Sequence, residues 1–279
     1  MTRTHRFTQL DVFTAVALRG NPLAVVHDAV GLTDERMAEF ARWTNLSETT
    51  FLLPPTDVGA DYRVRIFTPA RELPFAGHPT LGSCHAWLAA GGLPREAHTI
   101  VQQCGVGLVR IRRDGQRLAF AAPPLQRTGP VEPALRVQAA RSLGIPDAAI
   151  LRLEWIDNGP GWMAALLPDA ATVLALKPDF AAMRGLHLGV IGAHAAGHDA
   201  QFEVRAFVPG LGVPEDPVTG SLNAGLAQWL IGASLAPPRY VAAQGTAIGR
   251  AGRVHVAREG ADIWIGGDVA EVVSGSVAL

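Results

Sequence analysis

An internal repeat constrains the fold of this chain more than any other feature of its sequence. Residues 64–69, Val-Arg-Ile-Phe-Thr-Pro, align with residues 204–209, Val-Arg-Ala-Phe-Val-Pro, at an offset of 140. Residues 77–83 align with residues 215–221 at an offset of 138, which predicts a two-residue deletion in the connecting loop. Motifs at a nearly fixed spacing indicate a duplicated architecture. The alternative is chance recurrence, since Pro, Gly and Ser are common in turns.

Each half is predicted to contain short strands, Gly/Pro-rich turns and a central helix. The 30 glycines and 20 prolines favour turns and short strands over a helical bundle. Alternating or β-rich runs predict strands at 7–13, 23–27, 49–53, 62–67, 108–111, 118–120, 150–156, 162–167 and 202–208. Capping and helical spacing predict helices at 33–44, 79–90, 133–143 and 218–231. The first of these begins after Thr33, which has the side chain of an N-cap residue.

The length and one proline-rich segment predict two domains. A chain of 279 residues is long for one compact domain. Residues 121–134 contain four prolines and no periodic pattern, which is typical of a crossover between domains. We expect a first domain over 1–120, to which a last strand at 268–279 returns, and a second domain over 128–267.

Composition excludes several classes of function. The 24 Lys and Arg are balanced by 25 Asp and Glu and are scattered, whereas binding to nucleic acid needs concentrated positive charge. No apolar run approaches the ~18 residues of a membrane span. We therefore expect a soluble, cytoplasmic protein that binds neither nucleic acid nor membrane. Cys84 and Cys104 have no CxxC spacing, which argues against a disulfide framework and a zinc site.

No motif in the sequence indicates a cofactor or a metal. His187, His194, His198 and Asp199 suggest a metal cluster, but intervening glycines break the helical spacing that a pair of ligands needs. We predict that they are strand and turn residues. The glycines of residues 105–107 lack the rest of a dinucleotide fingerprint. The six tryptophans are spread along the chain and are interpreted as packing residues.

Both copies of the repeated turn place a polar residue and a proline at a predicted helix start. These pairs are His78-Pro79 and Asp216-Pro217. The structural interpretation is that Asp216 is an N-cap and that each proline occupies the next position. The functional interpretation is that the two helix starts direct free backbone N–H groups into one cleft, which would bind a carboxylate.

Glu48 is the candidate acid/base residue. It lies at a predicted helix-to-strand junction among Leu46, Phe51 and Leu52. Apolar surroundings raise the pKa of a carboxyl group toward neutrality, as proton transfer requires. The alternative is an exposed loop glutamate.

Five motifs in order resemble those of the PhzF-like proteins, which are named for the phenazine-biosynthesis isomerase. They are NLSETTF at 45–51, FTPARELPFAGHPTLG at 67–82, NGP at 158–160, EDPVTGS at 215–221 and QGTAIGR at 244–250. The resemblance implies the diaminopimelate epimerase-like fold. In this α+β fold, two pseudo-symmetric domains each wrap a curved, mostly antiparallel sheet around a central helix, and the active site lies in the cleft between them.

The resemblance also implies roles for individual residues. Glu48 is the acid/base, His78 and Asp216 line the substrate pocket, and the substrate carboxylate is bound by backbone groups of Gly77, Gly220 and Ser221. It further implies a homodimer and no cofactor. Related epimerases use two facing cysteines, whereas this sequence has none at the two helix starts. One base suits a suprafacial proton shift better than stereoinversion.

Two hypotheses about function follow. The first is a cofactor-independent isomerase that moves a proton within a small, cyclic or unsaturated, carboxylic acid. The second is a non-catalytic small-molecule-binding or scaffold protein on the same fold. Glu48 and its partners favour the enzyme, because a pure binding protein does not need a partly buried ionisable group.

Overall fold

The computed structural model describes residues 3–211 and 213–279. Its strands are β1 (Thr4–Val12), β2 (Asn21–Val26), β3 (Thr49–Leu53), β4 (Tyr62–Phe67), β5 (Glu72–Leu73), β6 (Thr99–Cys104), β7 (Gly107–Asp114), β8 (Arg117–Ala121), β9 (Arg127–Pro130), β10 (Arg152–Asp157), β11 (Trp162–Leu166), β12 (His187–Ala193), β13 (Phe202–Val208), β14 (Val213–Asp216), β15 (Arg239–Gln244), β16 (Gly252–Glu259), β17 (Asp262–Gly267) and β18 (Val269–Ala278). Its α-helices are α1 (Asp34–Thr44), α2 (Gly77–Ala89), α3 (Pro133–Leu143), α4 (Ala170–Ala175) and α5 (Gly220–Gly232). Short 3₁₀ turns span Asp147–Ala149, Pro209–Leu211 and Thr246–Ile248.

The chain divides into two compact units. The first comprises residues 1–121 and 266–279, and the second comprises residues 122–265. In the first unit the C-terminal strand β18 pairs antiparallel with β1, from Thr4 opposite Ala278 to Val12 opposite Val269. The first unit is therefore discontinuous in sequence.

Successive strand pairs follow the same sequence of antiparallel and parallel pairing in both units. In the first unit β18–β1 and β1–β2 are antiparallel, β2–β3 parallel, β3–β4 antiparallel, β4–β6 parallel and β6–β7 antiparallel. In the second unit β9–β10 and β10–β11 are antiparallel, β11–β12 parallel, β12–β13 antiparallel, β13–β15 parallel and β15–β16 antiparallel. The two series match step for step, so the repeat in the sequence reflects a repeated fold.

A central helix of 13 residues lies against the strands of each unit, α2 in the first and α5 in the second. Both are apolar around most of their circumference, as expected for a helix enclosed by a curved sheet. A Cβ atom on Gly82 would lie 2.5 Å from Leu23 Cδ2, and one on Gly225 would lie 2.4 Å from the carbonyl oxygen of Ile156. Each helix therefore needs glycine where it meets its sheet.

These helices correct the predicted register of the repeat. The first segment keeps its offset of 140, but α2 begins at Gly77 and α5 at Gly220, which are 143 positions apart. Gly82 and Gly225 have the same spacing. The connecting loop of the second unit is thus three residues longer than that of the first, and the predicted two-residue deletion is wrong.

An arginine–glutamate pair is also repeated. Arg65 on β4 bonds Glu72 on β5 through two nitrogens at 2.8 and 2.7 Å. Arg205 on β13 bonds Glu215 on β14 in the same way at 2.9 and 2.8 Å. Each guanidinium also lies 5.0 Å from the ring of the phenylalanine two positions further on. In the second unit both charged side chains are buried, whereas Glu72 is 41% exposed.

The predicted α+β class is confirmed, and several elements have the predicted bounds. The strands at 49–53, 62–67 and 202–208 and the helix at 133–143 are all present. The hydroxyl of Thr33 caps α1 by accepting from the N–H of Arg36 at 3.3 Å. The segment 121–134 is not purely a linker, because β9 lies within it and pairs with β10.

Candidate active site

Glu48 lies where α1 turns back into the sheet. The helix ends at Thr44, and Asn45 takes the left-handed conformation, with φ of 52°. This conformation is accessible to asparagine and reverses the chain. Glu48 then immediately precedes β3, whose first two residues are fully buried. Its side chain is 15% exposed, so the alternative of an exposed loop glutamate is wrong.

His78 lies beside the Glu48 carboxyl group. It is the second residue of α2, and its Nε2 lies 3.3 Å from Glu48 Oε2. The two atoms are not aligned as a hydrogen bond. The imidazole side chain is 6% exposed, and its ring also bonds the backbone of Pro22. Burial lowers the pKa of His78 to about 3, so the ring is neutral at physiological pH.

The first turn of α2 leaves backbone donors without a side-chain cap. Its N-cap residue is Ala76, which has no polar side-chain atom, and the first turn contains no acidic residue. Gly77 begins the helix directly beside His78. An anion is therefore a suitable partner for these N–H groups.

Asp216 does not cap α5, which corrects the structural interpretation made from the sequence. It is the last residue of β14, and the N-cap position belongs to Thr219. The carboxylate Oδ2 of Asp216 accepts the hydroxyl proton of Thr219 at 2.5 Å. The pair Asp216-Pro217 has the residue types of a helix start, but the longer loop delays the helix to Gly220.

The side chain of Gln244 bonds the segment between β14 and α5, a role that was not predicted from the sequence. This fully buried side chain on β15 accepts from the backbone N–H of Thr219 at 3.1 Å and from Nδ2 of Asn223 at 2.8 Å. Its amide nitrogen donates to the carbonyl of Asp216 and to the hydroxyl of Thr219. The QGTAIGR motif thus has a structural role, which only these contacts with distant residues reveal.

Ser221 is the second residue of α5 and corresponds to His78 in the other unit. Its hydroxyl oxygen accepts from the indole N–H of Trp162 at 3.0 Å, and its carbonyl accepts from Nδ2 of Asn158 at 2.9 Å. The backbone around Asn158 is shaped by Asp157, which accepts from the N–H groups of two nearby glycines. The bond from Trp162 uses a lone pair of the Ser221 oxygen and leaves the hydroxyl its own O–H donor.

The predicted residues thus form one group within each unit. Glu48, His78 and Gly77 lie together in the first unit. In the second unit, Asp216 ends β14, and Gly220 and Ser221 are the first two residues of the helix α5 that follows. Sequence reasoning missed Trp162, which was interpreted only as a packing residue. Its indole is 3% exposed and bonds Ser221, and nothing in the sequence pattern distinguishes it from the other tryptophans.

The other candidates contribute no comparable site. Across residues 3–211 and 213–279 no three His, Cys, Asp or Glu side chains are grouped as metal ligands would be. His187 begins β12, and His194 bonds the buried Glu203 at 3.0 Å. Burial raises the pKa of the Cys84 thiol to about 12, which leaves it protonated at neutral pH. None of the described helices is both long and apolar enough to cross a membrane.

The structure has the duplicated α+β fold that the sequence motifs predicted. A carboxyl group and an imidazole lie side by side at the start of one of its two central helices. Comparison with known families is consistent with this. Residues 10–275 match the family described as phenazine biosynthesis-like protein (PhzC-PhzF). The chain belongs to this family, and the predicted resemblance is confirmed.

Two known proteins and one solved structure are similar to this chain over 80–99% of its length. Antisense-enhancing sequence 1 of Schizosaccharomyces pombe is 40% identical over 262 residues, covering 88% of each chain. The trans-2,3-dihydro-3-hydroxyanthranilate isomerase of Pseudomonas chlororaphis is 36% identical, covering 80% of this chain and 78% of its own. The crystal structure of a PhzF-family phenazine biosynthesis protein from Enterococcus faecalis is 26% identical, with a TM-score of 0.83, and covers 99% of this chain and 100% of its own.

Proposed function

We propose that this protein is a cofactor-independent isomerase that moves a proton within a small, cyclic or unsaturated, carboxylic acid. The observation that carries the proposal is the Glu48 carboxyl, which is largely buried and lies 3.3 Å from His78 at the start of α2. Burial of an ionisable group costs free energy unless the group is paired, and groups of this kind cluster at functional sites. The relative from Pseudomonas chlororaphis, named as an isomerase, supports the reaction class.

Glu48 acts as the single acid/base. Its carboxylate removes a proton from an activated carbon, and the electron pair of the broken C–H bond stays in the conjugated system of the substrate. The resulting carboxylic acid then returns the proton to another carbon of that system. A thiol is a poor alternative, because the buried Cys84 is protonated at neutral pH.

The remaining predicted residues bind the substrate. Gly77 and Gly220 offer backbone N–H groups to its carboxylate, because each begins a helix. Ser221 adds a hydroxyl donor. His78 and Asp216 hold the polar substituents. We further propose that the two units are the two expected domains and that the protein is a cytoplasmic homodimer.

A second candidate function is a non-catalytic small-molecule-binding or scaffold protein. The name of the relative with 40% identity, Antisense-enhancing sequence 1, describes no enzymatic reaction. In that case the same residues bind a carboxylic acid without turnover.

Ligand discovery followed by isotope exchange separates the two candidates. A thermal-shift screen of cyclic and unsaturated acids identifies ligands, and proton NMR in D₂O then detects turnover. We expect at most one solvent deuteron in each product molecule. Glu48→Gln should lower kcat ~10²-fold or more while binding persists. Glu96→Gln, at an exposed position of the same unit, is the matched control. Wild-type turnover by Glu48→Gln would exclude Glu48 as the acid/base, and ligand binding by the wild type without turnover would favour the binding protein.

A further inference from the structure

A hydroxyl bond closes the loop that carries Glu48. Thr44 is the last residue of α1 and Thr49 is the first residue of β3, and their hydroxyl oxygens lie 2.8 Å apart. The Thr44 hydroxyl donates its only proton to the carbonyl of Ala41 at 3.0 Å, so the proton between the two threonines comes from Thr49. The loop that ends with Glu48 is therefore held at both of its ends.

A second hydroxyl bond joins the strand after Glu48 to the helix that carries His78. The hydroxyl of Ser83 on α2 donates to the hydroxyl oxygen of Thr50 on β3 at 2.9 Å. Thr50 in turn donates to the carbonyl of Ala24 at 3.4 Å. The side chains of Ser83 and Thr50 are both fully buried. This bond thus links the two elements that bring the carboxyl group and the imidazole together.

The positions of the two threonines along β3 explain their different partners. Successive side chains of a strand point to opposite faces of the sheet. Thr49 therefore contacts α1 on one face, and Thr50 contacts α2 on the other. Glu48 lies two positions before Thr50 and accordingly faces α2, where His78 Nε2 is 3.3 Å from its carboxyl group.

The second unit has the same strand and helix without this bond. Pairing with the repeated strands β4 and β13 aligns Thr50 with Gly189. The offset of 143 between the central helices aligns Ser83 with Leu226. Neither Gly189 nor Leu226 has a hydroxyl group. The shared fold therefore does not require the bond, which occurs in the unit that carries Glu48.

We infer that Thr50 and Ser83 are positioning residues: their bond fixes the strand after Glu48 against α2 and so holds the carboxyl group beside the imidazole. This role rests on the proposed function, in which Glu48 transfers the proton. Replacement of both partners of a buried hydrogen bond by apolar groups of similar shape costs little stability, whereas buried polar contacts specify one arrangement. Proton transfer needs such an arrangement, since a displacement of ~1 Å can lower a rate ~10²-fold.

The test compares variants of Thr50 in the whole protein and needs no substrate. Thr50→Val keeps the branched shape and removes the hydroxyl, whereas Thr50→Ser keeps the hydroxyl and loses a methyl group. Carbon-13 NMR of protein labelled at the glutamate carboxyl carbon gives the signal of Glu48, which Glu48→Gln assigns. We expect the wild-type signal in Thr50→Ser and a shifted or split signal in Thr50→Val. A role in packing alone predicts the opposite, because valine is closer to threonine in shape.

A double variant separates positioning from stability. Thr50→Val combined with Ser83→Ala leaves neither hydroxyl without its partner, so its free energy of unfolding in urea should stay close to that of the wild type. Its Glu48 signal should nevertheless be shifted or split. This variant also provides the test if Thr50→Val alone does not fold. Ser142→Ala is the matched control, because it removes a fully buried hydroxyl from α3 of the second unit, and it should leave the Glu48 signal unchanged.

A wild-type Glu48 signal in either Thr50→Val or the double variant would overturn the inference. An equal change of this signal in Ser142→Ala would also overturn it, because the effect would then not be specific to the bond between β3 and α2. None of these results depends on turnover. Full activity of Glu48→Gln would instead remove the proposed function and leave the spectra unchanged.

Discussion

Trp162 donates its indole N–H to the hydroxyl oxygen of Ser221 at 3.0 Å, so a buried aromatic residue on β11 orients the second residue of a central helix. The corresponding residue of the other unit, His78, is oriented by the backbone of Pro22. In each unit, therefore, a bond from a neighbouring segment controls the direction of a polar group at the helix start.

Trp162→Phe should keep the ring packing and remove this bond. We expect a loss of about 1 kcal/mol in the free energy of unfolding, the usual net contribution of one hydrogen bond. Binding of a carboxylic acid, measured by calorimetry, should weaken because the Ser221 hydroxyl is no longer oriented. In a Ser221→Ala background the same change should have little further effect on binding. Equal effects in both backgrounds would show that Trp162 acts only through packing.

Loss of the Gln244 amide should destabilise the second unit. Gln244→Leu leaves the N–H of Thr219 and the amide of Asn223 without their buried acceptor. An unsatisfied buried polar group costs roughly 1–3 kcal/mol, so we expect a decrease of about 2–4 kcal/mol in the free energy of unfolding by urea. Gln116→Leu, in an exposed turn, should change it little. Equal stability of the two variants would contradict the network described here.

The repeated arginine–glutamate pairs should differ in their contribution to stability. Glu215→Gln leaves Arg205 charged in a buried position, and breaking a buried pair costs roughly 3–5 kcal/mol. Glu72→Gln removes the corresponding, more exposed partner of Arg65 and should cost about 1 kcal/mol or less. Chemical denaturation of the two variants measures the difference. If Glu72→Gln is the more damaging, burial does not determine the contribution of the pair.

Stability should decrease as the solution is made acidic. The pKa of His78 falls from its ordinary value of 6.5 to about 3 on folding, because burial disfavours the charged ring. Below pH 6.5 the unfolded chain binds a proton that the folded chain excludes, so each further pH unit down to about 3 lowers the free energy of unfolding by roughly 1.4 kcal/mol. His27 and His85 are shifted in the same direction by burial.

Urea denaturation at pH 7, 6 and 5 tests this pH dependence. The slope of unfolding free energy against pH should be smaller in His78→Gln by about one bound proton. His98→Gln, at an exposed position, should retain the wild-type slope. An unchanged slope in His78→Gln would mean that the ring is not buried in its neutral form.

The sequence predicted the elements that have strong local signals. The strand over 62–67 alternates polar and apolar residues, and Thr33 has the side chain of an N-cap, so both could be predicted from periodicity and capping. The family motifs located Glu48 and His78. These predictions depend on neighbours along the chain or on whole motifs, which are visible without coordinates.

The offset of the second helix could not be predicted from local patterns. The strand β14 has only four residues and contains a proline, and Asp216-Pro217 has the composition of a helix start. At the true start, the N–H of the N-cap residue Thr219 is instead bonded by Gln244, from a strand 25 residues away. The bond from Trp162 to Ser221 is equally non-local, spanning 59 positions. Contacts between residues so far apart in the sequence can be recognised only in the folded structure.

The matched order of strand pairing has a consequence for how such a protein can diversify. Each central helix packs closely against the sheet of its own unit at a glycine. In each unit, an arginine–glutamate pair joins the two strands that come before this helix. None of these contacts involves the second helical residue, which is histidine in one unit and serine in the other. The duplicated scaffold thus does not depend on the second helical residue, and the two copies present different chemistry there, an imidazole and a hydroxyl, on the same frame.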